Sequence, residues 1–135
     1  MSIKSLKWYA FLLATMCFPV WSATFYISPA GNDIATGTSL ALAWRTIAKA
    51  NTTLLAGDTV RIAAGTYTDQ IRPANNGTSS ARITYLAHGD GNVILTNVGN
   101  LGSMWLEDVG AIALGGRSFV TVDGVNQSIR VLPAQ

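Results

Sequence analysis

Apolar and polar positions follow three different rules along this chain. From Trp8 to Phe18 the residues are almost all apolar, with Lys4 and Lys7 before them and Pro19, Ser22 and Ala23 after them. From Trp44 to Leu55 the apolar positions recur at helical spacing, with Ile47, Ala50 and Leu54 on one face. Thr46 is placed to cap the start of that helix and Gly57 to end it. From Asp58 onward the pattern is short runs rich in β-branched residues: Thr59–Ile62, Ile83–Leu86, Val93–Thr96, Ile112–Leu114 and Phe119–Val122. Each run is bounded by Gly or Asn, which marks strands separated by turns. Another short alternating run, Thr24 to Ser28, comes before a Gly-, Asn- and Ser-rich loop from Pro29 to Ser39.

The first rule predicts a secretory leader. Basic, apolar and small residues succeed one another in the order that export requires. A membrane-spanning helix needs about 20 apolar residues, and Pro19 interrupts this run well short of that. A cut after Ala23 puts bulky Trp21 three residues before the bond, whereas a cut after Ser22 puts Val20 there. The expected mature chain therefore begins at or within one residue of Thr24, in a secreted or periplasmic location with no stable membrane insertion. Met16 is too large to precede a lipidated cysteine, and Cys17 is the sole cysteine. The mature chain would hold neither disulfides nor thiolate metal sites.

Leader removal also changes the charge. The whole sequence carries +2, but without Lys4 and Lys7 seven basic residues face seven acidic ones. The bases stand singly along the chain, so no clustered patch for nucleic acid exists.

The third rule excludes alternating strands and helices and leaves two all-β arrangements. One is a sandwich of antiparallel hairpins, for which Gly89-Asp90-Gly91-Asn92 is the best turn. The other is a parallel solenoid, favoured by separations of 33 residues (Thr59 to Asn92) and 37 residues (Ile83 to Val120), both in the range of stacked repeats. In the solenoid Val60 and Ile62 point inward and Arg61 outward.

Candidate chemistry is sparse. His88, the single histidine, lies in a turn with no nucleophile in a recognisable frame and reads as solvated surface. Glu107-Asp108 lacks the further oxygen ligands that Ca²⁺ requires, and Asn32-Asp33 is explained by turn chemistry. Asn51-Thr52-Thr53, Asn76-Gly77-Thr78 and Asn126-Gln127-Ser128 match the glycosylation pattern, which is too common to weigh. Trp105 reads as a loop aromatic covering the strands before it reads as a sugar platform. No residue of the segment is assigned a catalytic, cofactor-binding or metal-binding role.

Gly57-Asp58-Thr59-Val60-Arg61-Ile62-Ala63-Ala64-Gly65-Thr66-Tyr67 resembles the first coil of pectate-lyase-like right-handed parallel β-helices. In the same order, Phe25 to Asp33 resembles that family's opening strand and loop, and Trp44 to Ala50 its capping helix. Asn76-Gly77-Thr78 with Arg82 to Tyr85 resembles the link to the next sheet, and Val122 to Val125 a later turn. The nearest flavour is the lyases of the alginate lyase and chondroitinase B type. The resemblance implies an all-β fold with a leader over 1–23, an opening strand, loop and capping helix over 24–57, and the first coils over 58–135. It implies an acidic polysaccharide partner and β-elimination, with Ca²⁺ a possible cofactor in the full-length form. Elimination needs a base and a group that neutralises the uronic carboxylate. The family carries those on later coils, so the segment by itself is expected to be inactive. A non-catalytic β-helix, serving as a surface adhesin or carbohydrate-binding stalk, is the alternative.

Overall fold

The computed structural model describes residues 21–96, 112–124 and 129–131. Most of the leader, and with it Glu107-Asp108, Trp105 and Asn126-Gln127-Ser128, lies outside them. The described elements are β1 (Thr24–Ile27), α1 (Ile47–Thr53), β2 (Thr59–Ile62), β3 (Gly65–Tyr67), β4 (Ile83–Ala87), β5 (Val93–Leu95), β6 (Val120–Asp123) and β7 (Ile129–Val131). They form two sheets, β1-β2-β4-β6 and β3-β5-β7. Every pairing is parallel. The protein is therefore mostly β, with parallel sheets and one short α-helix.

This arrangement removes the antiparallel sandwich. The turn at Gly89-Asp90-Gly91-Asn92 does not fold β5 back on β4 but carries the chain into the other sheet. Gly89 and Gly91 both take positive φ there, a backbone state that glycine adopts without steric cost. The 37-residue separation is a true register, since Ile83 pairs with Val120. The 33-residue one is not: Thr59 pairs with Thr84, and Val93, next to Asn92, pairs with Gly65. The spacing misled because the connections between strands differ in length from one passage to the next.

The core lies between the two sheets. Ile27, Val60, Ile62, Ile83, Tyr85 and Ala87 contribute from one sheet and Tyr67, Val93 and Leu95 from the other. Inward residues alternate with outward ones, as the burial of Val60 and Ile62 around half-exposed Arg61 shows. Each fully buried aliphatic side chain adds roughly 1.5–3 kcal/mol. Ile112–Leu114, expected as a strand, supplies a single bridge between Ile112 and Ile71. β3 was not anticipated, because Gly65-Thr66-Tyr67 carries only one large apolar residue.

The helix is shorter than its apolar pattern suggested. Ile47 and Ala50 are buried within it and Leu54 follows as the C-cap, also buried. The Thr46 side chain accepts from the Lys49 N–H, as its type predicts. Trp44 is not helical but extended, bridging Ile27. Its N–H donates to Tyr26 O, and its C=O accepts from Ser28 N–H. Its ring stacks on Phe25 at 4.6 Å and its indole N–H donates to Ala35 O at 3.0 Å. Those tertiary partners outcompete one more turn of helix.

Candidate functional site

The outward face of the larger sheet carries a repeating column. Thr24 pairs with Thr59, Thr59 with Thr84, and Thr84 with Thr121, so four hydroxyl side chains stand in register across β1, β2, β4 and β6. Neighbouring strands lie about 4.8 Å apart, so the hydroxyls repeat at that interval. A second column, Tyr26, Arg61, Leu86 and Asp123, runs beside it.

A groove of about 380 Å³ opens beside the middle of the threonine column. Thr59 and Thr84 line it together with Ser22, Gly57 and the loop Ser79-Ser80-Ala81-Arg82. The lining holds several hydroxyls, one guanidinium and no carboxylate. Its loop is fixed from both sides: Thr78 and Ala81 exchange backbone hydrogen bonds, and Gly77 N–H donates to Ser118 O. A Cβ at Gly77 would sit 2.3 Å from Phe119 O, so only glycine permits that approach. The Arg82 guanidinium lies over the Phe119 ring at 5.8 Å, a cation–π contact that holds the charge at the groove's rim. Such a surface offers hydrogen bonds to hydroxyls and one positive charge for an anion; it holds no acid–base pair.

The residues singled out from sequence are scattered. His88 is not solvated surface. It is half-buried at the end of β4, its ring meets Tyr26 edge-on at 5.8 Å, and Nδ1 is enclosed with no hydrogen-bond partner. Its backbone N–H donates to Ile62 O at 2.7 Å, which extends the ladder one residue past the strand. Asp33 serves the backbone: Oδ1 accepts from Arg45 and Thr46 N–H and Oδ2 from the Thr46 hydroxyl. Partial burial opposes its charge, but the Thr46 and Arg45 hydrogen bonds and the Lys49 field prevail and lower its pKa. Asn76 Oδ1 accepts from Ser118 N–H. Among the described residues no three His, Cys, Asp or Glu side chains gather as a metal site. Nor is any described helix long and apolar enough to cross a membrane.

Sequence reasoning overlooked the groove, although aligning the runs Thr24–Ser28, Thr59–Ile62, Ile83–Leu86 and Phe119–Val122 on the threonine that each carries would have exposed the column. No family model and no curated protein matches the chain. Among solved structures, a complex of XylC with xylose superposes with a TM-score of 0.51 at 31% identity, over 54% of this chain and 11% of that one. A rhamnogalacturonan lyase superposes with a TM-score of 0.50 at 21% identity, over 82% of this chain and 27% of that one. The chain thus spans only a small part of either protein, and at that identity the second likeness speaks for the fold alone.

Proposed function

We propose that this chain forms the first coils of an exported right-handed parallel β-helix that acts on polysaccharide, and that these coils bind the polymer rather than cleave it. The observation that carries the reading is the hydroxyl-lined groove beside Thr59 and Thr84, with Arg82 as its cation and no carboxylate in its lining. The xylose held by the XylC neighbour, at 31% identity, supports it. A sugar chain laid along the column would exchange hydrogen bonds with Thr59, Thr84, Ser79 and Ser80, and Arg82 would favour a uronic carboxylate. In the longer protein, β-elimination would require a base and a carboxylate-neutralising group on further coils.

Calorimetric titration of the chain with acidic oligosaccharides, galacturonate- and rhamnogalacturonan-derived, beside neutral xylo-oligosaccharides tests this. The acidic series should bind, and Arg82→Ala should weaken it about tenfold, the equivalent of roughly 1.4 kcal/mol for a charge-assisted hydrogen bond. Absence of binding, or equal binding by the variant, would contradict the reading. Absorbance of unsaturated uronic products, with and without Ca²⁺, should show elimination by the longer protein and none by residues 24–135. Binding without elimination in the longer protein would favour the adhesin or stalk.

A further inference from the structure

Asp58 is the one buried charged residue in the described core, with 6% of its surface exposed. Its carboxylate is divided between two backbone amides. Oδ2 accepts from Leu55 N–H at 2.9 Å, which closes the turn between α1 and β2. Oδ1 accepts from Ala23 N–H at 3.0 Å, 35 residues away in sequence. The same Ala23 is held by its carbonyl, which accepts from Thr59 N–H at 2.9 Å. A full negative charge is thus aimed at the nitrogen of Ala23. Trp21 and Ser22, just before it, are exposed, and Ser22 keeps a single side-chain bond to Gly57 O.

We infer that the Ser22–Ala23 bond is the processing site of the leader and that the new amino terminus docks on Asp58; this rests on the export reading above. A leader-removing endopeptidase hydrolyses the bond, water supplying hydroxyl to the Ser22 carbonyl carbon and hydrogen to the Ala23 nitrogen. The freed amine takes a proton from solvent, because an α-amino group has a pKa near 7.7–8.0. The result is an ammonium where the amide stood, and a hydrogen bond charged only at Asp58 becomes an ion pair charged at both ends. Residue sizes agree with this bond: Val20 and Ser22 then occupy the positions three and one before the cut. A cut after Ala23 would place Trp21 at the first of these and discard the group that Asp58 holds. Removal of Ser22 also strips one wall from the groove beside Thr59.

Intact-mass analysis and N-terminal sequencing of the chain, expressed in an exporting host, read the cut directly. An Ala23 start is expected. A Thr24 start would overturn the inference and leave export standing, whereas a retained Met1 would overturn both. The docking is read on the purified Ala23 form by acetylating its amino terminus. Acetylation should lower Tm by about 4 °C, and should have no effect in the Asp58→Asn variant. An equal shift in both proteins, or none in either, would show that the terminus does not pair with Asp58.

Discussion

At the β1 end of the two sheets the backbone is closed group by group, whereas at the β6 end it stands open among the described residues. The outer edge of β1 is met by irregular chain: Tyr26 N–H donates to Gly37 O at 2.7 Å, and Trp44 bonds both Tyr26 O and Ser28 N–H. Gly37 makes this close approach possible; at φ +74 it lies against the Trp44 ring, where a Cβ would come within 2.4 Å of the indole. The helix closes the remaining side. Asn51 presents its side-chain amide to the chain on either side of Ile71, donating to Gln70 O and accepting from Arg72 N–H. One side chain thereby reproduces the pattern of a neighbouring parallel strand, and its Oδ1 also accepts from the buried Tyr85 hydroxyl. Among the described residues no side chain is seen to play that part for β6. Ile83 N–H donates to Phe119 O, and strand alternation then turns the Val120 and Val122 N–H groups away from β4. Their side chains continue the core columns of Ile83 and Tyr85 but are only half-buried, and Phe119 is 43% exposed.

The lesson is that the first strand of a parallel stack needs a cover of another kind. Unpaired strand edges invite association, and the first strand can never be covered by a preceding coil of its own kind. The opposite edge has the geometry to receive another coil. The groove spans β2 and β4, in the closed part, where four-strand register holds the threonines in line. On the proposed reading, binding belongs to this rigid beginning and catalysis to coils stacked beyond β6.

Substitutions at matched positions should separate the two ends. Ile47→Asp places an unpaired charge under the helix and should cost more than about 3 kcal/mol, seen as loss of the cooperative thermal transition. Val122→Asp at the open end should cost about 1 kcal/mol. Asn51→Ala leaves Gln70 O, Arg72 N–H and the Tyr85 hydroxyl without their partner and should cost about 2 kcal/mol by urea denaturation. Asn51→Asp keeps the acceptor and should recover part of that loss. Val60→Ala should lower stability by about 2 kcal/mol and Val122→Ala by less than about 1, because only the former leaves an enclosed cavity.

The smallest effect is on acid stability. Asp33 has a folded pKa below the unfolded value of 3.8. Its contribution is therefore fully present above pH 3.8 and is lost as pH falls through the lower folded pKa. Asp33→Asn should lower stability in the neutral region by that contribution and leave the strongly acid region nearly unchanged, so that the acid limb of the stability curve flattens.

The division between closed and open ends also marks what was legible in the sequence. The helix face of Ile47, Ala50 and Leu54 and the cap at Thr46 follow from local spacing and hydroxyl chemistry, and the structure has both. The β-branched strands were visible for the same local reason. Trp44 was assigned to the helix because its partners Phe25, Ile27 and Ala35 are distant in sequence. The role of Asn51 was hidden because a side chain that imitates a strand has no local signature; in sequence it is one more Asn-Thr-Thr. The groove is a product of register, and register emerged only once the strand separations of 25 residues (Thr59 to Thr84) and 37 residues (Ile83 to Val120) were fixed.

Native-state hydrogen exchange of the chain, resolved by residue, tests the contrast between the ends most directly. The Tyr26 and Ser28 amides, bonded to Gly37 and Trp44, should exchange as slowly as those of β2 and β4, while the Val120 and Val122 amides exchange much faster. Equal protection at Val122 and Tyr26 would contradict the account, since it would mean that the β6 edge is as fully covered as β1.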